Sequence, residues 1–171
     1  MKPIRELRSE QELTECVALL RAAFATVAME FGLTEESAPS NAAFTTLDNL
    51  RAHLQHGMLM YGMSDGASMV GCVAIKQSKS DQLVFYIERL AVLPEHRHQG
   101  TGGQLLTFAM DTIRQCGGRT ASIGVMDTNE RLKEWYRSKG FAQHDCRRIP
   151  HLPFKVCFMS RELGGLPHTD S

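Results

Sequence analysis

The run Glu88-Arg89-Leu90-Ala91-Val92-Leu93-Pro94-Glu95-His96-Arg97-His98-Gln99-Gly100-Thr101-Gly102-Gly103-Gln104-Leu105-Leu106 places an apolar strand, a Pro-ended turn, a basic glycine-rich loop and a helix start in immediate succession. A helix N-terminus presents unpaired backbone N–H groups and about half a positive charge, and glycines let an anion approach the backbone without meeting a Cβ. The segment therefore reads as an anion cradle, to which Arg97, His98 and Gln99 add side-chain donors. A second reading stands beside it: a tight strand-to-helix turn whose glycines only satisfy backbone geometry. Two nucleotide motifs are excluded. There is no Gly-Lys-Ser/Thr ending, as a P-loop requires, and Gly100-Thr101-Gly102-Gly103 lacks the G-x-G-x-x-G spacing of a dinucleotide fingerprint.

Outward from this run the chain mixes strand and helix texture. A strand-like start at residues 3–7 precedes Leu13, Cys16, Val17, Leu20, Ala23, Phe24, Val27, Ala28 and Phe31 at helical spacing, stopped by Gly32. Residues 34–41 read as a loop and residues 45–56 as a second helix before Gly57. Apolar runs at 58–63, 68–77 and 83–93, separated by turn residues, predict two hairpins in series. Downstream, the pattern predicts a helix over about 100–116 closed by Gly117-Gly118, then a strand over 120–126. A helix follows, opened by Asp127, Thr128 or Asn129 and ended by Gly140, and then strands over 141–148 and 154–160. Residues 1–162 read as a single domain and 163–171 as a flexible tail. This order predicts an α/β fold, a mixed sheet with helices on both faces.

A chain of 171 residues, 43% hydrophobic and 22% charged, can bury a core as one domain. With 19 Lys+Arg against 19 Asp+Glu, it lacks the broad basic footprint of a dedicated nucleic-acid binder, so any anion site must be local. No stretch approaches the ~20 apolar residues that span a bilayer, and Met1-Lys2-Pro3-Ile4-Arg5-Glu6 lacks the apolar run of a secretory signal. No membrane association and a cytoplasmic location are therefore expected. Cys16, Cys72, Cys116, Cys146 and Cys157 are scattered singly, with no C-x-x-C pair. They are expected to be reduced, mostly buried thiols, and no metal site is expected.

Leu90-Ala91-Val92 with Pro94, followed by Arg97-x-x-Gly100-x-Gly102, resembles the acetyl-CoA-binding motif of the GNAT superfamily of N-acetyltransferases, Q/R-x-x-G-x-G/A after a short apolar triplet. Asn129, Leu132, Trp135-Tyr136 and Gly140-Phe141 resemble that family's second signature, in the right order downstream. His98-Gln99 departs from the pairs that many members carry in the loop. The resemblance implies a GNAT-like mixed, mostly antiparallel central sheet, with acetyl-CoA as acyl donor. It assigns the backbone of Leu90, Ala91 and Val92 to the pantetheine arm, and Arg97, His98, Gln99, Gly100, Thr101, Gly102 and Gly103 to the pyrophosphate. Asn129 would bond the pantetheine or its neighbouring backbone, and Tyr136 would stand near the thioester sulfur. A homodimer is compatible with the family.

Attack of an amine on a thioester needs a neutral amine, a stabilised oxyanion and a proton for the departing thiolate. Asn129 and Tyr136 are close to two helical turns apart and share a face; the other reading of Tyr136 is a core aromatic beside Trp135. Glu88 interrupts an apolar run and by alternation shares a face with Tyr86, Leu90 and Val92. It is either a base or one half of a salt bridge, with Arg89 exposed beside it or with a basic residue on a neighbouring strand. His53 and His56 share a helix face without a third metal ligand and read as a solvated or lid-lining pair, while sequence does not place His144 and His151.

The expected activity is transfer of an acetyl group from acetyl-CoA to a primary amine, of a small molecule or a peptide, by direct attack in a ternary complex. Glu88 would accept the proton directly or through water, a backbone N–H near Ala91 or Val92 would polarise the carbonyl, and Tyr136 would protonate the thiolate. A non-catalytic acyl-CoA-binding or regulatory module on the same fold is the competing expectation, and it needs neither Glu88 nor Tyr136. A binder of another nucleotide is a third. Acceptor choice is expected from residues 34–56 and the last two strands, with Glu35, Glu36 and Asp48 as candidates to attract a cationic amine.

Overall fold

Strand β1 (Ile4–Glu6) leads into α1 (Glu10–Glu30), a 3-10 turn (Ala42–Phe44) and α2 (Leu47–Gln55), followed by β2 (Leu59–Asp65), β3 (Ser68–Gln77) and β4 (Val84–Val92). After a second 3-10 turn (Pro94–His96) come α3 (Thr101–Gln115), β5 (Thr120–Met126), α4 (Glu130–Ser138), β6 (Ala142–Arg148) and β7 (Lys155–Glu162). This is a computed structural model, and it describes residues 2–164.

Helix boundaries fall where side chains meet orphan backbone N–H groups. Ser9 and Glu12 cap α1 reciprocally: the Glu12 N–H donates to Ser9 Oγ at 3.1 Å and the Ser9 N–H to Glu12 Oε2 at 3.0 Å. Thr46 Oγ1 accepts from the Asn49 N–H at 3.1 Å, which starts α2 just after the expected point. Helix α3 ends in a Schellman turn, in which Gly118 donates to the Ile113 carbonyl at 2.8 Å and Gly117, at φ +87°, donates to Arg114 at 3.0 Å.

The strands form one seven-stranded sheet, ordered β1-β2-β3-β4-β5-β7-β6. Every neighbouring pair is antiparallel except β4 and β5, which run parallel because α3 crosses over between them. Helices α1 and α2 cover one face, where Leu13, Leu20 and Leu50 pack with Met60, Cys72, Ala74 and Ala91. On the other face, Leu105, Leu106 and Ile113 of α3 and Tyr136 of α4 pack with Ile75, Phe85, Ile123 and Met159. Each fully buried aliphatic side chain contributes about 1.5–3 kcal/mol by leaving water. The fold is thus the expected α/β type, a mixed and mostly antiparallel sheet with helices on both faces.

Three sequence expectations are corrected. Glu88 pairs with Ala74 but Ala91 pairs with Cys72, so β4 carries one extra residue at Arg89–Leu90, and Arg89 sits at φ +51°. This β-bulge reverses the alternation. Tyr86, Glu88 and Ala91 face α1 and α2, whereas Leu90 and Val92 pack against the opposite core, so Glu88 does not share their face. Leu163, expected in the tail, is buried; its N–H donates to Arg119 at 2.8 Å and its carbonyl accepts from Arg114 Nε at 2.9 Å. Residues 165–171 of that tail lie outside the described residues. Cys146 and Cys157 stand directly opposite in the β6–β7 ladder and are joined as a disulfide, while Cys16, Cys72 and Cys116 are free. Spacing along the chain does not show cross-strand opposition, which is what brings two Cβ atoms within bonding reach. Among the described residues no helix is long and apolar enough to cross a membrane.

A Cβ at Gly118 would collide with Ile113 Cγ2 and lie 2.7 Å from Phe85 Cδ2. Gly118→Ala should therefore destabilise the protein by about 1–3 kcal/mol through overpacking, read as a lower urea midpoint at unchanged m-value.

Candidate functional site

The β4–α3 connection is built on two left-handed residues, His98 at φ +62° and Gly100 at φ +81°. Gly100 is the N-cap of α3 and supplies no side-chain cap, so the first N–H groups of the helix are left open. Gly102 and Gly103, in that first turn, need glycine neither for a positive φ nor for internal room. A Cβ at Gly102 would meet Trp135 at 3.6 Å and Val92 at 3.9 Å, which is ordinary contact. At Gly103 it would meet only the flexible end of Lys139, at 3.4 Å from Nζ. The tight-turn reading thus accounts for Gly100 and not for these two. Lys139 lies over the Trp135 ring, 5.6 Å from its centroid, and has no carboxylate partner among the described residues. Its charge adds to the positive end of α3.

The other loop residues divide. The Arg97 guanidinium donates to the Val92 carbonyl at 3.1 Å, the Ala23 carbonyl at 2.9 Å and Thr26 Oγ1 at 3.2 Å, tying the loop to α1. The side chains of His98 and Gln99 are exposed, and Thr101 is buried. Gln99, Thr101 and Gln104 line one wall of a depression of about 470 Å³, opposite Lys2 and Asp65.

Strands β4 and β5 pair only at Val84–Thr120, Phe85–Ala121 and Tyr86–Ser122. Beyond Tyr86 the backbone of residues 87–92, which includes Leu90, Ala91 and Val92, has no registered strand partner on its β5 side, and the sheet is open there. Asn129 caps α4 at this opening: its Oδ1 accepts from the Leu132 N–H at 3.3 Å, leaving its amide N–H groups uncommitted among the described residues. Tyr136, on α4, packs edge-on against Trp135 and Phe141, with ring centroids at 5.0 and 5.4 Å. Burial pushes its hydroxyl far above the ordinary tyrosine pKa, so it stays protonated at neutral pH. That hydroxyl has no hydrogen-bond partner among the described residues, yet it is not one of the enclosed polar atoms.

Glu88 lies on the other face of the sheet, 39% exposed, with Oε2 3.1 Å from Arg89 Nη1. Arg89 is not exposed beside it, as the sequence suggests. The bulge turns it inward to 14% exposure, and its Nη2 donates to His53 Nε2 at 3.0 Å. His53 must then hold its proton on Nδ1 and be neutral, consistent with burial and the Arg89 charge, which together keep its pKa below the usual histidine range. His56 Nδ1 donates to the Ala52 carbonyl at 2.7 Å, so the two histidines do not act as a pair. Glu88 also lines a depression of about 430 Å³ with Tyr86, Lys76 and Lys79. The sequence reading does not single out these two lysines, Arg89 as a buried group, or Lys139. Asp48 pairs with Arg51 at 3.1 Å, and Glu35 and Glu36 are exposed on their loop. His144, Arg147 and Arg148 are exposed on β6, with Arg147 over the Phe158 ring.

The model of the acetyltransferase (GNAT) family matches residues 20–141. This chain belongs to that family. Among curated relatives, it is 29% identical over 119 residues to the amino-acid acetyltransferase of Pseudomonas putida, a match covering 70% of this chain and 27% of the relative. The chain thus spans about a quarter of the length of the first curated relatives it matches. Among solved structures, it is similar to the PaiA N-acetyltransferase of Thermoplasma acidophilum in complex with coenzyme A, with a TM-score of 0.76 and 19% identity over 95% of this chain and 99% of the other. The ribosomal-protein-S18-alanine N-acetyltransferase of Escherichia coli gives 0.74 at 16% identity, over 99% and 98% of the two chains. At these identities the structural likeness speaks for the GNAT fold.

Gly102→Ala should leave stability unchanged or raise it by up to about 1 kcal/mol, since alanine is the better helix former and its Cβ has room. A loss of thermal stability would make Gly102 a packing glycine.

Proposed function

We propose that this GNAT protein transfers the acetyl group of acetyl-CoA to a primary amine by direct attack in a ternary complex. The observation that carries the reading is the first turn of α3, with open N–H groups and two glycines that neither dihedral strain nor packing requires. Glycine inside a helix costs about 0.5–1 kcal/mol relative to alanine, and close approach of a phosphate to the backbone accounts for keeping two of them. In this reading Gly100, Thr101, Gly102 and Gly103 hold the pyrophosphate on backbone N–H groups, with Lys139 nearby. The β4 edge at Leu90–Val92, which has no strand partner on its β5 side and whose Val92 carbonyl is held by Arg97, and the Asn129 amide hold the pantetheine arm. Arg97 acts by fixing the loop to α1, and His98 and Gln99 stand at its exposed rim. Residues 1–162 act as the acetyltransferase domain.

Bound there, acetyl-CoA supplies an acyl carbon activated as a thioester, which the amine attacks as the carbon–sulfur bond breaks. Glu88 takes the proton that the amine must lose, directly or through water. A backbone N–H near Ala91 or Val92, on the open side of β4, polarises the carbonyl. Tyr136, on α4 and with a hydroxyl that has no hydrogen-bond partner among the described residues, gives its phenolic proton to the departing sulfur. Glu88 and Tyr136 lie on opposite faces of the sheet, and the opening between β4 and β5 is where groups from both faces can serve one reacting centre.

Calorimetric titration with acetyl-CoA, with ADP and desulfo-CoA alongside, should show binding that needs the pantetheine arm, and Gly102→Ala should weaken it at least about tenfold. No binding up to millimolar concentration overturns the reading. In a free-thiol assay on an amine panel, Tyr136→Phe should lower kcat more than about tenfold with acetyl-CoA affinity little changed. Binding without thiol release for any amine would instead mark a non-catalytic acyl-CoA module.

A further inference from the structure

The depression beside Glu88 is unequally charged. Lys76 and Lys79 line it, and Arg89 lies beneath Glu88, while Glu88 is the one carboxylate in the lining. Neither lysine has a carboxylate partner among the described residues, whose ion pairs join Glu88 to Arg89 instead. Asp81, on the same hairpin, accepts from the Leu83 N–H at 3.0 Å and is not part of the lining. His53 behind Arg89 is neutral and adds no charge of its own. Lys76 stands opposite Tyr86, and Glu88 stands opposite Ala74, so Lys76 and Glu88 are diagonal neighbours on one face, about 7 Å apart at the backbone.

From this juxtaposition we infer that the acceptor is a small amine that also carries an anionic group, a carboxylate or a phosphate, a few bonds from its nitrogen. The inference rests on the acetyl-transfer reading above and names the substrate class for the acceptor side of Glu88. An incoming ammonium group is met by Glu88, which is also the group proposed to take its proton. That leaves the charges of Lys76, Lys79 and Arg89 to be answered by the rest of the molecule. A polyamine or a lysine-rich peptide would bring further positive charge into a cleft that already has an excess of it, and like charges in a concave site are strongly disfavoured. A depression of about 430 Å³ has room for a molecule of amino-acid size. The acidic residues 35, 36 and 48, which the sequence offered as attractors of a cation, do not line this depression.

The test uses matched pairs of amines in the free-thiol assay with saturating acetyl-CoA: leucine against 3-methylbutylamine, and phosphoethanolamine against ethanolamine. The anionic member of at least one pair should have kcat/KM about tenfold or more above its partner, an advantage that shrinks as salt is raised. The pair that shows the effect tells carboxylate from phosphate. In the double variant Lys76→Gln, Lys79→Gln the preference should collapse through a KM for the anionic acceptor raised about tenfold, while the dissociation constant of acetyl-CoA stays as it was. Equal or better use of 3-methylbutylamine and ethanolamine overturns the inference and leaves acetyl transfer standing. Thiol release with neither set, acetyl-CoA being bound, overturns acetyl transfer and this inference together.

Discussion

The extra residue in β4 is the constraint on which the remaining geometry depends. A regular strand would keep Glu88, Leu90 and Val92 on one face and would have no cause to hold Arg89 in a left-handed conformation. Because a non-glycine residue at positive φ costs of order 1 kcal/mol or more, the arrangement persists only where its surroundings enforce it. Here Cys72 and Ala91 resume the ladder on one side of the bulge while Leu90 and Val92 enter the core beneath α3 on the other. One irregularity thereby sends a carboxylate to one face and an apolar strand end to the opposite face.

The parallel neighbour adds the second condition. Because β5 pairs along its length with β7 but only briefly with β4, the sheet is continuous at the start of these strands and open at their ends. Helix α3 must cross from the end of β4 to the start of β5, and its N-terminus consequently points out beside the opening. A positive helix end, a strand edge without a strand partner and the cap of α4 then converge through the order of the strands and helices. The remaining surface ion pairs, such as Arg51 with Glu10 and Arg131 with Glu30, join exposed groups and contribute little to holding this arrangement.

Much of this was legible in the chain. Apolar periodicity and glycine stops locate the strands and helices to within a few residues, because the helices α1 and α3 each carry a buried face and chemical stops such as Gly32, Gly117 and Gly140 mark element ends. The glycine loop and the Asn-to-Tyr spacing were legible because they are local patterns on single elements. The bulge was not, since an inserted residue leaves alternation intact in the sequence and appears only against a partner strand. For the same reason Arg89 read as exposed, and Cys146 and Cys157 read as unrelated. Lys76, Lys79 and Lys139 are ordinary surface lysines in sequence, and only tertiary contact puts them beside Glu88 or the first turn of α3.

Arg97 gives the loop a different kind of dependence. Its three side-chain bonds reach Val92 within the loop's own neighbourhood but also Ala23 and Thr26, more than seventy positions earlier in the chain. The segment from Glu88 to Leu106 is therefore not a self-sufficient cassette. Transplanted onto a sheet whose first helix lacks a free carbonyl and a hydroxyl at those places, it would carry its glycines and its helix end but not its anchorage. Such a graft would inherit the sequence motif without the anchorage that Arg97 gives it here.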